Sequence, residues 1–211
     1  MMEDYLYRKG TWQEVLESAR ETAGKEPLDK EPSEKWKVGM LIAEHSPIRC
    51  LVYRWRWNDI KYWITNHLVR HSWEPFIRSQ RADRNGMTPE ERDNLPQGAS
   101  VQMIGEANAQ HMIDTSRKRL CFKADPQTRM KWEWLKDNMK DIDPELYFVM
   151  VPNCIYRGGC PEMQTCGFYG KMLEKVAKMS NVIPNMFFDI FWRYSFYNHY
   201  MYKGGDVNGE K

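Results

Sequence analysis

The chain has 211 residues, 42% of them apolar and 28% charged, which fits one soluble folded domain large enough to bury a real core. Its 31 basic and 29 acidic residues leave a net charge of +2, so no global field draws it to a nucleic acid polymer or a membrane, and any anion site must be local. The opening MMEDYLYRKG is charged and lacks an apolar core for a secretory signal, and no apolar run is long enough to span a bilayer. With an odd number of cysteines, five, the expectation is a reducing cytoplasm with thiols free or metal-bound.

In chain order, Thr11 with Glu14 spells a capping box that opens a helix over about 12–24. A polar, proline-containing connection follows, and Ser33 caps a second helix to about residue 45. The run RCLVYRWRW (49–57), rich in aromatic and branched residues, reads as a strand. Asn58 is expected to cap a helix in which Ile60, Trp63, Ile64 and Leu68 recur at helical spacing. Residues 81–98 carry turn chemistry, and a helix is expected over 99–120. Asp125-Pro126 starts another helix, over 127–140. The stretch from Val151 to Gly170 is a loop rich in glycine and cysteine, followed by a helix near 169–180. The aromatic run from Pro184 to Tyr202, interrupted by Asp189, Arg193 and His199, is expected to pack on protein rather than enter lipid. Gly204 to Lys211 reads as a loose end. Cys50 and Cys121 are expected in the core, and the even spacing of Cys154, Cys160 and Cys166 lacks the tight pairs that structural zinc prefers.

The residues that carry chemistry concentrate in HLVRHSWEPFIRSQRADR (67–84), which crowds four arginines and two histidines around one helix end. Arginine presents a planar fork of donors that matches phosphate oxygens in pairs. Charge alone favours a solvated basic face that pairs with acids elsewhere. The pattern points further. The segment resembles the signature of the flavin-dependent thymidylate synthases, RHRxxxxxxxS followed by an arginine two residues on. Arg70 and His71 match it, Ser72 stands where the third residue is an arginine, Ser79 falls one residue early, Arg81 matches, and Ala82 replaces a tyrosine. Arg92 lies three residues before Leu95-Pro96, as in that family. Asn108-Ala109-Gln110 then resembles the family's Asn-Ala-Arg, with Arg119 eleven residues after the asparagine. NCIYRGGCPEMQTCG (153–167) resembles the family's GGCPE…CG ending, and His45-Ser46-Pro47 the turn before its central strand.

The resemblance, which runs from about His45 to Gly167, implies a helix-rich α+β fold with a central antiparallel sheet, and the chain is expected to be a single domain over 1–203 with a flexible tail over 204–211. It implies reductive methylation of dUMP to dTMP, with FAD as cofactor and NADPH and methylenetetrahydrofolate as co-substrates, in a homotetramer whose active sites are shared. Ser79, Arg81 and Arg119 are then the expected catalytic residues. His67, Ser79, Arg81, Arg92 and Arg119 would hold the pyrimidine deoxynucleotide monophosphate, and Arg70, His71, Asn108 and Asp114 the flavin. On a single helix, Asn108 and Arg119 would share a face about 16 Å apart along the axis, with His111 and Thr115 nearby. Ser72 removes a cation, which leaves dCMP, hydroxymethylation of dUMP, or a non-catalytic nucleotide-binding role as alternatives.

Overall fold

The computed structural model describes residues 3–179 and 188–203. It forms two compact units, Met1–Met112 and Ile113–Lys211, and the division falls inside one helix.

The first unit is built on a four-stranded antiparallel sheet in the order β1-β2-β4-β3. The strands are β1 (Tyr5–Lys9), β2 (Val52–Lys61), β3 (Glu74–Ile77) and β4 (Ser100–Asn108). Alternation along β2 sends Tyr53, Trp55 and Trp57 into the core while Arg54 and Arg56 face outward. Along β4, Val101, Met103, Gly105 and Ala107 point inward. Gly105 stands opposite Trp55, and a β-carbon there would lie 2.2 Å from the indole. Only glycine allows that approach.

Helices α1 (Trp12–Thr22) and α2 (Glu34–Ile42) contribute Trp12, Val15, Leu16 and Leu41 to this unit's core, and a 3-10 turn over Ser46–Cys50 leads into β2. The capping box is present: the Thr11 hydroxyl accepts from the Glu14 N–H, and the Glu14 carboxylate accepts from the Thr11 N–H. Ser33 caps α2 through the Trp36 N–H. The short helices α3 (Tyr62–Leu68), α4 (Ala82–Asn85) and α5 (Pro89–Asp93) complete the unit.

Three expectations are corrected here. Asn58 caps no helix: it lies within β2, and its backbone and side-chain N–H groups donate to Asp4 at 2.7 and 3.1 Å. Ile60 is likewise a strand residue. The helix expected over 99–120 is β4 followed directly by α6 (Ala109–Arg119). Cys50 is exposed and Cys121 half-buried, because each closes a turn at the surface rather than filling the core.

The second unit is helical: α7 (Pro126–Ile142), α8 (Pro144–Val149), α9 (Asn153–Arg157), α10 (Phe168–Lys178) and α11 (Ile190–Phe196), the last followed by one π-helical turn over Tyr197–Met201. Asp125 caps α7 and Asp143 caps α8, each with proline at the start of its helix. The core gathers Trp132, Leu135, Met139, Leu146, Ile155, Met172 and Tyr194. The aromatic segment packs as expected over 188–203; its residues 184–187 and the tail 204–211 lie outside the described residues.

Two cations are buried here. Lys136 is fully buried and donates to the carbonyls of Tyr147 and Met150 and to Asn198 Oδ1, at 2.7, 2.8 and 2.7 Å. The rings of Tyr147, Tyr202 and Tyr197 surround its ammonium at 4.1, 4.8 and 5.5 Å. Burial pushes the Lys136 pKa well below the lysine range, while these acceptors and ring faces favour the charged form. Arg193 donates to the carbonyls of Ile155, Tyr156 and Phe188 at 2.9, 2.9 and 3.2 Å, closing the C-terminal end of α9.

Candidate functional site

In the first unit, the segment from His67 to Arg92 forms a turn, an edge strand and a looped pair of short helices. His67 sits in the last turn of α3 with its ring edge-on to Trp63, centroids 5.4 Å apart. Arg70 is exposed in the turn that follows, and His71 is half-exposed beside it, its N–H donating to the Leu68 carbonyl at 3.2 Å. Ser72 is exposed in the same turn.

β3 then runs along the edge of the sheet, pairing Glu74–Ile77 with Met103–Glu106 of β4. Arg78 extends that pairing by donating its N–H to the Gln102 carbonyl at 2.8 Å. Strand pairing therefore fixes the chain immediately before Ser79.

Local hydrogen bonds fix the next turn. The Ser79 hydroxyl accepts from the Arg81 N–H at 3.2 Å. The Asn85 amide donates to the carbonyls of Ser79 and Arg81 at 2.7 and 2.8 Å. Asn85, which the sequence reading passed over, is thus the residue that ties the Ser79–Arg81 turn together. Gly86, at φ +67, then reverses the chain. Its signal in the sequence was the Asn-Gly pair, a common turn dipeptide.

The two arginines flanking this turn lie at the surface. Arg81 makes a two-pronged pair with Asp83 at 2.9 and 3.0 Å, and Arg92 pairs with Asp93 at 2.8 Å. All four side chains are more than half exposed, so each pair contributes at most about 1 kcal/mol. A dianionic ligand can displace partners held so weakly.

Ser79 lines a cleft of about 330 Å³ together with Asn58, Gln80, Asn85, Leu95 and Gln102. Arg81, Arg92, His67, Arg70 and His71 are not part of that lining. The wall is rich in amides and hydroxyls and also includes the cation Arg78. A shallower hollow of about 210 Å³ adjoins it on the outer sheet face, between Arg56, Phe76, Arg78 and Gln102.

On the same face, Glu106 accepts from Lys9 at 2.6 Å and from Arg54 at 2.7 Å. Those two cations hold its carboxyl below the ordinary range, and Glu106 in turn raises Arg54. Arg54 also lies over the Phe76 ring, 5.6 Å from its centroid.

Asn108 is the last residue of β4 rather than part of a helix, so the expected shared helix face with Arg119 does not exist. Its Oδ1 accepts the His111 N–H at 3.0 Å and caps α6. That leaves its amide NH₂ as the group able to donate to a ligand.

The second unit carries Asp114 and Arg119. Asp114 pairs with Arg117 at 3.0 Å along α6, and Arg117 stacks on Tyr156 with 3.6 Å to the ring centroid. Arg119 is half-buried in the last helical turn. Thr115, expected near a ligand, is fully buried in the packing of its helix.

No family model matches the chain, and no curated protein matches it. Among solved structures it is similar to the UMP/dUMP methylase PolB from Streptomyces cacaoi bound with 5-Br dUMP. That match has 12% identity and a TM-score of 0.52, covering 70% of this chain and 94% of that one. It is also similar to the flavin-dependent thymidylate synthase ThyX from Helicobacter pylori complexed with FAD and dUMP. Here identity is 13% and the TM-score 0.55, with 71% of this chain and 98% of that one covered. The chain therefore has the α+β fold of the flavin-dependent thymidylate synthases.

Proposed function

We propose that a chain with this thymidylate synthase-like fold is a flavoenzyme that transfers a one-carbon unit to a pyrimidine deoxynucleotide monophosphate, with dUMP as substrate and dTMP as product. The observation that carries the reading is the fold match across nearly the whole length of two proteins described with dUMP or its bromo analogue. The ordered matches from Arg70 to Arg119 fall on that same fold.

In this reading residues 1–203 work as one domain. FAD is the cofactor, NADPH and methylenetetrahydrofolate are co-substrates, the active protein is a homotetramer, and its place is the cytoplasm. Among the described residues no helix is long and apolar enough to cross a membrane.

The residues expected at the flavin fit an anionic dinucleotide in chemistry. Arg70 offers an exposed guanidinium, His71 a half-exposed ring, and Asn108 a donor amide. Asp114 fits less directly, because Arg117 already neutralises it. When bound, the reduced flavin supplies hydride chemistry. The protein's own part is positioning and electrostatics. Arg81 and Arg92 exchange their carboxylate partners for the nucleotide phosphate. Ser79 and the Asn85-tied turn hold the phosphate end in register, and Arg119 polarises the base. His67 presents a ring nitrogen to the nucleotide from α3.

A second reading, another pyrimidine monophosphate as substrate, is favoured by Ser72 in place of an arginine, and one structural neighbour is described as a methylase of both UMP and dUMP.

The test is an absorbance spectrum of the purified chain with FAD, followed by nucleotide titration and an assay of tritium release from C5 of labelled dUMP. A flavin band perturbed by dUMP, with tritium release, is the expected result. A band that responds to UMP or dCMP and not to dUMP selects the second reading. Failure to bind flavin under any condition removes the enzyme assignment.

A further inference from the structure

Four of the five cysteines gather in one corner of the second unit, outside every residue assigned above. Cys121 lies in the turn after α6, Cys154 on α9, and Cys160 and Cys166 on the loop from Gly158 to Gly167. Three contacts draw the turn and the loop together. Arg117 stacks on Tyr156 at 3.6 Å, Lys118 pairs with Glu162 at 3.6 Å, and Phe122 stacks on Phe168 with centroids 4.7 Å apart. The last two bracket Cys121 on one side and the Glu162–Phe168 segment on the other, so Cys166 falls between the bracketing contacts. Cys166, Glu162 and Cys160 all lie near enough to Cys121 to raise its thiol, beside the larger effect of burial.

All five thiols are free. They differ in access. Cys166 is exposed, Cys121 and Cys160 are half-buried, and Cys154 is buried, its thiol pushed up to about 12 by desolvation, which leaves it inert. Glycines at φ +70 and +79 bound the loop, as the caps of α9 and α10.

We propose that Cys166 and Cys121 form a reversible redox pair that takes a small-molecule disulfide, such as oxidised glutathione, as oxidant. The Cys166 thiolate attacks one sulfur of that disulfide, forming a mixed disulfide and expelling one thiolate. The Cys121 thiolate then attacks Cys166 Sγ, closing the Cys121–Cys166 bond and expelling the second thiolate. The two protons given up by the cysteines end on the two released thiols, and the protein is oxidised by the two electrons that reduce the reagent. Burial raises the Cys121 thiol above its ordinary value, and the Lys123 N–H, which donates to Cys121 Sγ at 3.5 Å, offsets part of that rise. The bond staples the end of α6 to the glycine-bracketed loop. This proposal is independent of the nucleotide reading, and its readouts require no flavin or substrate.

The full-length chain is incubated with oxidised glutathione, the remaining thiols are alkylated, and peptides are mapped by mass. The expected product is a Cys121–Cys166 link, an intact mass lower by two hydrogens, and a rise in melting temperature on the order of 5 °C. Dithiothreitol reverses all three. Cys166→Ser abolishes the link, while Cys160→Ser leaves it in place. A stable glutathione adduct on Cys166 with Cys121 alkylated overturns the proposal. So does a link to Cys160, or zinc that co-purifies with the chain and shields the thiols.

Discussion

Both units carry ion pairs at the surface, but among the described residues only the second also buries cations. In the first, Arg54, Arg81 and Arg92 pair with carboxylates at or near the surface, where water screens each pair. In the second, Lys136 and Arg193 are buried and donate to carbonyl and amide oxygens. Ion pairs at the surface are exchangeable, so such arginines can turn to an anionic ligand. A buried ammonium held by three oxygens and three aromatic rings is committed to holding α7, α8 and the C-terminal turn in place. Among the described residues, only the second unit is built around buried cations.

The sharpest way to break that contrast is to remove a buried cation. Lys136→Ala strands two carbonyls and an amide oxygen in the interior and empties an aromatic cage, and should cost about 3–5 kcal/mol of unfolding free energy. Urea unfolding measures it, and a loss below about 1 kcal/mol would mean the lysine is structurally idle. Next comes the first unit's own fixed point. Gly105→Ala forces a β-carbon into the Trp55 ring and should cost about 2–3 kcal/mol in the same experiment.

Surface charge should behave differently. Arg81→Ala should leave the melting temperature nearly unchanged while weakening dUMP binding by about tenfold or more, since a charged hydrogen bond contributes about 1.5–3 kcal/mol. Calorimetric titration reads this, and an Arg81→Ala chain that unfolds early would erase the distinction between the units.

The smallest effect belongs to Glu106. Its carboxyl is held below its ordinary value of 4.5 in the folded chain by Lys9 and Arg54. The stability it contributes is therefore complete above that value and is lost as pH falls through the lower folded value. Being partly exposed, the network contributes less than about 1 kcal/mol. Glu106→Gln should lower stability at neutral pH by up to that amount and converge with the parent chain in acid, which flattens the acid limb of a stability-against-pH curve.

The sequence made the helices legible wherever a cap announced them. Thr11, Ser33 and Asp125 each accept the backbone N–H expected of them. Of the sheet, the central strand β2 was legible in RCLVYRWRW, while the others were hidden because they are short and lie at edges, as with Tyr5–Lys9 and Glu74–Ile77, or are built from residues that also suit helices. SVQMIGEAN contains alanine, glycine, methionine and glutamate, and its two-residue alternation of burial was outweighed by composition. That one miss displaced Asn108 from helix to strand and dissolved its shared face with Arg119. The loop from Ser79 to Arg92 was visible from turn residues and arginines together. The part played by Asn85 was not, because a side chain that ties two carbonyls leaves no pattern along the chain.

Gly105 has a consequence for how the sheet assembles. Strands β2 and β4 are far apart in sequence and must find one register among several. Sliding β4 by one residue would bring Ile104 or Glu106 to the position facing Trp55, where there is no room even for a methyl group. The indole thus acts as a gauge that admits a single residue type, and the sheet proofreads its own alignment while it forms.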